Sequence, residues 1–327
     1  MTKTIGWGII GLGNIAASFA RDLALVSGGR LVAVASRSKE KAEDFGSEYK
    51  AKYKFGSYQE LFLCDEVDVV YIATLHTSHA ELSIMAMEMG KGVLCEKPFG
   101  INSAEVEKMI TAAKKNRVFL MEAMWSRFNP SIKKVKKLIS KGAIGDIGYL
   151  HADFAFYGLN RSEEGRLLNP DLAGGSLLDI GIYPIFLAYL MLGTPQSINA
   201  VSNFYKTGVE IQTSMIFNYP TAQAILYSGL NSRSEMKAEI SGSEGSFFLH
   251  SRWHQSQGYT LQKEGESQVF ELPTTGKGYS HEIEEVHNCL NLKQPESALW
   301  SLEDSRNLMA IMDEIRTKCG ISFPSEM

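Results

Sequence analysis

The chain has 327 residues, 44% of them hydrophobic and 21% charged, and 33 Lys and Arg against 37 Asp and Glu leave a net charge of −4. That is the balance of an ordinary globular protein with room for two domains and their cores. It excludes a disordered chain, a collagen-like chain and a disulfide scaffold, and the mild acidity argues against a nucleic-acid partner.

In chain order, Thr4–Ile10 is a short apolar run ending in glycine, and Asn14–Val26 has helical spacing with Ile15, Phe19, Leu23 and Val26 on one face. Leu31–Ala35 reads as a buried strand, followed by a charged helix over Lys39–Tyr49. The alternation continues with a strand at Val67–Ala73, a helix at Ser78–Met89, a strand at Gly92–Cys95, a helix at Ser103–Asn116 with Ser103 as N-cap, and a strand at Val118–Met121. Near-continuous apolar strands between helices predict a parallel sheet covered on both faces. Ile132–Ile139 is one more amphipathic helix, whose run Lys133, Lys134, Lys136 and Lys137 takes the solvated face. Beyond Gly148 the pattern changes to alternating strands at Tyr149–Tyr157, Ile198–Phe204, Thr213–Phe217, Gln223–Tyr227, Lys237–Ser241 and Ser246–His250, as in an antiparallel sheet with one covered face. Two helices follow, His281–Leu292 and Leu302–Lys318. The predicted division is residues 1–123 as a domain built on the parallel sheet and 124–327 as an α+β domain built on the mainly antiparallel one.

The opening MTKTIGWGIIG is too short an apolar run for a signal-peptide core, and no stretch approaches about 18 uncharged apolar residues. The four cysteines, Cys64, Cys95, Cys289 and Cys319, lie far apart, with no Cys-x-x-Cys pair and no Cys/His cluster of zinc spacing. The expectation is a cytoplasmic protein with reduced thiols, no membrane span and no metal.

Gly11-Leu12-Gly13-Asn14-Ile15-Ala16 is a GxGxxA pattern between the first strand and the first helix. Gly11 permits the tight turn, Gly13 lets a pyrophosphate approach the backbone, and Ala16 allows close helix–strand packing. The helix N-terminus offers free amides to phosphate. Where an NAD site places a carboxylate after the second strand, this chain has Ser36, Arg37 and Ser38, with Lys41 one turn on. A hydroxyl and a guanidinium suit a 2′-phosphate and favour NADP; the alternative is an Arg37 that stacks on the adenine or faces water.

Ala73-Thr74-Leu75-His76, with His79, follows another strand at its carboxyl end, where ligands of a parallel sheet bind, and is a candidate nicotinamide loop. Glu96 and Lys97, within Cys95-Glu96-Lys97-Pro98, stand at a third such end. A lysine there can bind a substrate hydroxyl and lower its pKa; a surface Lys–Glu pair is the alternative. Pro98 is a candidate for a cis bond. Asp179 and Tyr183, within Gly174-Gly-Ser-Leu-Leu-Asp179-Ile-Gly-Ile-Tyr183, are four apart, so a helix puts an acid and a phenol on one face. Spacing alone allows either a proton-handling pair or an ordinary helix start. Tyr279 and His281 precede the penultimate helix and allow a site role or a structural one.

Together these motifs resemble the glucose–fructose oxidoreductase/inositol dehydrogenase family (Gfo/Idh/MocA) over essentially the whole chain. Met121-Glu-Ala-Met-Trp125-Ser-Arg127-Phe128 and Leu178-Asp-Ile-Gly-Ile-Tyr183 look most like its dimeric dihydrodiol dehydrogenase and NADP-dependent D-xylose dehydrogenase branch. The resemblance implies a Rossmann domain followed by an α+β domain with a large open, mainly antiparallel sheet through which homodimers or higher homo-oligomers form. It implies that Lys97 contacts substrate and nicotinamide ribose, that Tyr183 is the proton donor or acceptor, that Asp179 orients substrate, and that Trp125 and Arg127 lie near the nicotinamide. The expected activity is NADP(H)-linked oxidoreduction of a sugar, polyol or cyclic diol. The alternative is a protein of the same fold that senses the dinucleotide without turning it over.

Overall fold

A computed structural model describes residues 4–326. The elements of the first part are β1 (Ile5–Ile10), α1 (Asn14–Leu23), β2 (Gly29–Ala35), α2 (Lys39–Glu48), β3 (Tyr53–Phe55), α3 (Tyr58–Phe62), β4 (Val69–Ile72), α4 (His79–Glu88), β5 (Gly92–Glu96), α5 (Ser103–Asn116) and β6 (Leu120–Ala123). The second part holds α6 (Pro130–Ile139), β7 (Ile147–Ala155), α7 (Ile182–Leu192), β8 (Ser197–Phe204), β9 (Glu210–Asn218), β10 (Gln223–Gly229), β11 (Ala238–Gly242), β12 (Gly245–Leu249), β13 (Gly258–Lys263) and β14 (Glu266–Glu271). Helices α8 (Ser280–Asn291) and α9 (Leu302–Cys319) follow.

The first sheet has the order β3-β2-β1-β4-β5-β6 and is parallel throughout, the doubly wound arrangement that leaves a ligand crevice at the carboxyl ends of its strands. Strands β1, β4, β5 and β6 are buried along their whole length, as a sheet covered on both faces requires. The second sheet has the order β14-β13-β12-β11-β7-β10-β9-β8 and is antiparallel except for the β7–β10 pair. In β9 the buried residues Thr213, Met215 and Phe217 alternate with the exposed Ser214 and Ile216, so one face is covered and the other open.

The described chain forms two compact units, residues 4–125 with 275–306, and residues 126–274 with 307–326. The predicted cut after 123 therefore misses a return of the chain: residues 275–306 pack with the parallel sheet. The Asp22 carboxylate accepts the backbone N–H groups of Lys277 (2.9 Å), Gly278 (2.9 Å), Tyr279 (2.8 Å) and Ser280 (3.3 Å), which caps α8 from α1. Trp7 Nε1 donates to His287 Nε2 (3.0 Å), and Trp300 Nε1 to Glu122 (3.1 Å).

Several local expectations change. The N-cap of α5 is Asn102, whose side chain accepts from Glu105 N (2.9 Å); Ser103 is already helical. Two short elements, the edge strand β3 and the helix α3, stand between Tyr49 and Val67, where no element was expected, although Ser57 and Glu60 form a full capping box there. The polar hairpin β13–β14 is also new; every residue of β14 is exposed, so no apolar alternation marked it. Its turn residues, Glu264 and Gly265, both have positive φ, as a tight twisted hairpin demands. Lys136 does not only face water: its ammonium donates to Leu190 O (2.6 Å). The helical segment Pro170–Leu192 is long and apolar enough by composition to cross a membrane, yet 83% of its most apolar window is buried in the protein. It is a core helix, apolar on all sides.

Candidate functional site

Gly11 follows β1 with φ +79°, and a Cβ on it would lie 2.4 Å from the Ala73 carbonyl and Thr74 N. The glycine turn is thus pressed against the start of the 73–79 loop, and only glycine fits both the conformation and the space. Gly13 is the N-cap of α1, with no side chain capping the helix amides. A Cβ there would meet nothing nearer than Gly11 O at 3.9 Å, so the backbone has room for a close ligand. Ala16 and Leu12 are buried, while Asn14 and Ile15 are exposed. Uncapped amides, open space at Gly13 and a buried Ala16 fit a dinucleotide pyrophosphate.

After β2, Ser36 Oγ accepts from Ser38 N (3.2 Å), and Ser38 caps α2 by accepting from Lys41 N (3.2 Å). Arg37 and Lys41 are exposed, and residues 36–39 carry no carboxylate.

The loops at 73–79 and 96–99 are tied together by His79. Its Nδ1 lies 2.8 Å from Pro98 O and its Nε2 3.2 Å from Thr74 O. Burial pushes its pKa down to about 4, so the ring is neutral at physiological pH and donates through one nitrogen at a time. His79 is a clamp between loops, with its neighbours His76 and Lys97 adding to the shift. The Glu96 side chain turns inward, where it accepts from the Tyr71 hydroxyl and from Lys97 N (3.2 Å). Burial pushes its carboxyl up. Lys97–Pro98 is a cis peptide, and Lys97 itself is partly exposed. Glu122 holds the same loop by accepting Phe99 N (3.1 Å), and burial pushes its carboxyl up to about 7. Trp125 is buried, with its ring stacked on Tyr279 at 4.9 Å and 12°.

In the second unit, Asp179 lies in a π-helical turn, Leu177–Gly181, which runs straight into α7. Such turns are rare and concentrate at functional positions. Asp179 accepts a hydrogen bond from Arg166 Nη1 at 2.6 Å, and Tyr183 lies close enough to the same guanidinium to raise its pKa further. Arg166 is half-exposed. The buried Tyr183 ring packs against Phe154 (5.5 Å) and His254 (5.2 Å), and His254 stacks on Phe154 at 4.3 Å. Arg127, also in this unit, is buried. Asp179 and Tyr183 are therefore brought together, with an arginine added that spacing had not revealed. Arg166, Phe154 and His254 stand 13 to 71 residues from Tyr183 or Asp179 along the chain with no local signature. The π-turn rests on Glu210, which accepts from Leu177 N (2.8 Å) and from the Ser176 (2.6 Å) and Thr213 (2.7 Å) hydroxyls.

Residues 5–124 match the family model for the oxidoreductase family with an NAD-binding Rossmann fold, GFO_IDH_MocA, and residues 132–248 match the GFO/IDH/MocA C-terminal domain. The chain is 34% identical to trans-1,2-dihydrobenzene-1,2-diol dehydrogenase of Xenopus tropicalis over 97% of its length and 99% of that protein's. It is 32% identical to the Homo sapiens protein of the same name, with 98% of each chain covered. Among solved structures, a 3-ketoreductase from Actinomadura kijaniata in complex with NADP and TDP-benzene superposes with a TM-score of 0.87, at 25% identity and 97% and 98% coverage. The aldose-aldose oxidoreductase from Caulobacter crescentus, complexed with glycerol, gives a TM-score of 0.88 at 26% identity, with 97% and 98% coverage. An NAD(P)-binding Rossmann unit, a mostly antiparallel second sheet and full-length likeness to these enzymes lead to one conclusion: the chain belongs to the GFO/IDH/MocA family of oxidoreductases.

Proposed function

We propose that this protein is an NADP(H)-dependent oxidoreductase acting between a hydroxyl and a carbonyl of a sugar, polyol or cyclic diol. The observation that carries the reading is the Asp179–Arg166 pair set on a π-turn beside Tyr183, in a chain of this family. The relatives' names, a dihydrodiol dehydrogenase and an aldose oxidoreductase, support a substrate with hydroxyl groups.

When bound, the nicotinamide would supply hydride exchange at its C4. Ser36, Arg37 and Lys41 would hold the 2′-phosphate, the α1 amides would hold the pyrophosphate, and Trp125 and Arg127 would stand beside the nicotinamide. Lys97 donates from Nζ to the substrate oxygen. Tyr183 takes the hydroxyl proton at its phenolic oxygen during oxidation and returns it during reduction. Arg166 holds Asp179 beside Tyr183. Asp179, held by Arg166, accepts from a neighbouring substrate hydroxyl. The enzyme names of the relatives favour turnover over the sensor alternative.

The open face of the second sheet supports a homodimer. Val201, Ile216 and Ile225 are exposed there, with Ile216 directly opposite Ile225 on the neighbouring strand. An Ile216→Asp variant is expected to elute as a smaller species than the unmodified protein.

The test is a panel of D-xylose, a polyol and trans-1,2-dihydrobenzene-1,2-diol, assayed with NADP⁺ and NAD⁺ by absorbance. Turnover of one class is expected, with Lys97→Met and Tyr183→Phe each about 10²–10⁴-fold slower. Turnover unchanged in both variants would refute the assigned roles.

A further inference from the structure

The π-turn that carries Asp179 is not self-supporting. A π-turn is normally tolerated as a short insertion within a helix, so something outside the helix has to hold it. Here that support centres on one carboxylate. Glu210, the first residue of β9, is 2% exposed and faces the start of the turn. Its Oε2 accepts from Leu177 N at 2.8 Å, the first residue of the turn. Its Oε1 accepts from the Ser176 hydroxyl at 2.6 Å and from the Thr213 hydroxyl at 2.7 Å. Ser176 Oγ also lies 2.9 Å from Ser228 Oγ on β10.

The glycines around the turn are fitted to this arrangement. Gly175 has φ +137°, and a Cβ on it would lie 3.0 Å from Glu210 O and 3.1 Å from Glu210 Oε2. At the other end, a Cβ on Gly181 would lie 2.9 Å from Ser228 Oγ. The carboxylate and the Ser176–Ser228 pair therefore clasp the turn from its first residue to its last, with glycines where a side chain would intrude.

We propose that Glu210 is a positioning residue for the reaction: it locks the π-turn in the register that sets Asp179 against Arg166 and starts the helix carrying Tyr183. This rests on the reading of Asp179 and Tyr183 as reaction residues. Glu210 itself touches neither substrate nor cofactor. Its hydrogen bonds do the work, and its charge does not. Glutamine can keep all three contacts, because the Ser176 and Thr213 hydroxyls can accept where they now donate. Alanine leaves Leu177 N and both hydroxyls without their acceptor.

The experiment compares Glu210→Ala, Glu210→Gln and Ser176→Ala with Asp179→Asn and Tyr183→Phe, using the panel substrate that turns over fastest. Readouts are kcat, the NADPH dissociation constant by fluorescence, and hydrogen exchange over 176–182. Glu210→Ala is expected to lower kcat about 10–10²-fold, as a misplaced reacting group does, and to speed exchange in the turn. Ser176→Ala should do the same to a smaller degree. NADPH affinity should be unchanged in both, and Glu210→Gln should restore kcat to within about threefold of the parent. A folded Glu210→Ala with parental kcat overturns the proposal, as does a Glu210→Gln no better than Glu210→Ala. If Glu210→Ala does not fold, an unaltered kcat and exchange pattern in Ser176→Ala overturns it. Loss in Asp179→Asn and Tyr183→Phe without loss in the Glu210 and Ser176 variants refutes this inference alone. Parental activity in Asp179→Asn and Tyr183→Phe refutes the catalytic reading itself.

Discussion

Replacing Asp22 by alanine should loosen the 275–306 segment from the parallel-sheet unit. Asp22 is 2% exposed, and its two oxygens take four backbone N–H groups at 2.8–3.3 Å. Those amides belong to the entry of α8, whose own N-cap residue, Tyr279, provides no side-chain cap. A carboxylate at that end also meets the positive end of the helix. Hydrogen bonds to a charged group are worth about 1.5–3 kcal/mol each, but four bonds on one carboxylate do not add. The loss for Asp22→Ala should therefore be about 3–5 kcal/mol, the range seen when one partner of a buried charged contact is removed. Asp22→Asn keeps the shape but turns an amide donor toward one of the four N–H groups, and should cost about 1–3 kcal/mol. Hydrogen exchange by mass spectrometry reads this locally. Exchange of the 277–280 amides should speed up about 10²–10⁴-fold in Asp22→Ala, since about 1.4 kcal/mol is tenfold. Because Tyr279 stacks on Trp125, the tryptophan fluorescence should change as well. An Asp22→Ala protein that keeps parental exchange at 277–280 would refute the reasoning.

Other consequences are as specific. Glu122 has a carboxyl pushed from 4.5 to about 7 in the folded state, so the folded protein binds a proton that the unfolded chain releases. Its contribution to stability is then full below the unfolded value and falls as pH rises to about 7, by about 3 kcal/mol in all. Urea unfolding at several pH values should show that slope, and Glu122→Gln should flatten it. Glu282, fully buried and also shifted upward, acts in the same direction. Arg37→Ala should weaken NADPH binding about 10–10²-fold and leave NADH binding nearly unchanged, measured by fluorescence titration. Gly11→Ala places a Cβ 2.4 Å from backbone and should lower the melting temperature as well as cofactor affinity. Gly13→Ala meets no such wall; it should cost about 1 kcal/mol or less in stability and act on cofactor affinity.

The sequence by itself determined the class of the fold and the place of the glycine turn. Short apolar runs such as VVYI and GVLCE, set between helical stretches, read as strands buried on both sides, and a parallel sheet follows from the helices between them. Local structure was legible where neighbours along the chain do the work, as in the strand–turn–helix around Gly11–Ala16. It faded where burial is uniform or absent. Helix α7 is apolar all round, so no periodicity marks its ends, and the wholly exposed β14 carries no alternation. Tertiary structure decided the rest. Asp22 meets residues 277–280 only after the chain has returned from its second unit, across more than 250 positions. Arg166 joins Asp179, and Glu210 joins Ser176, through loop closures that no pattern of spacing encodes. His79 reads as a cofactor ligand from its loop, yet two backbone carbonyls take its ring nitrogens. Periodicity reports which face of an element is buried; it does not report which distant polar group meets a buried carboxylate or imidazole, because burial makes that partner obligatory without naming it.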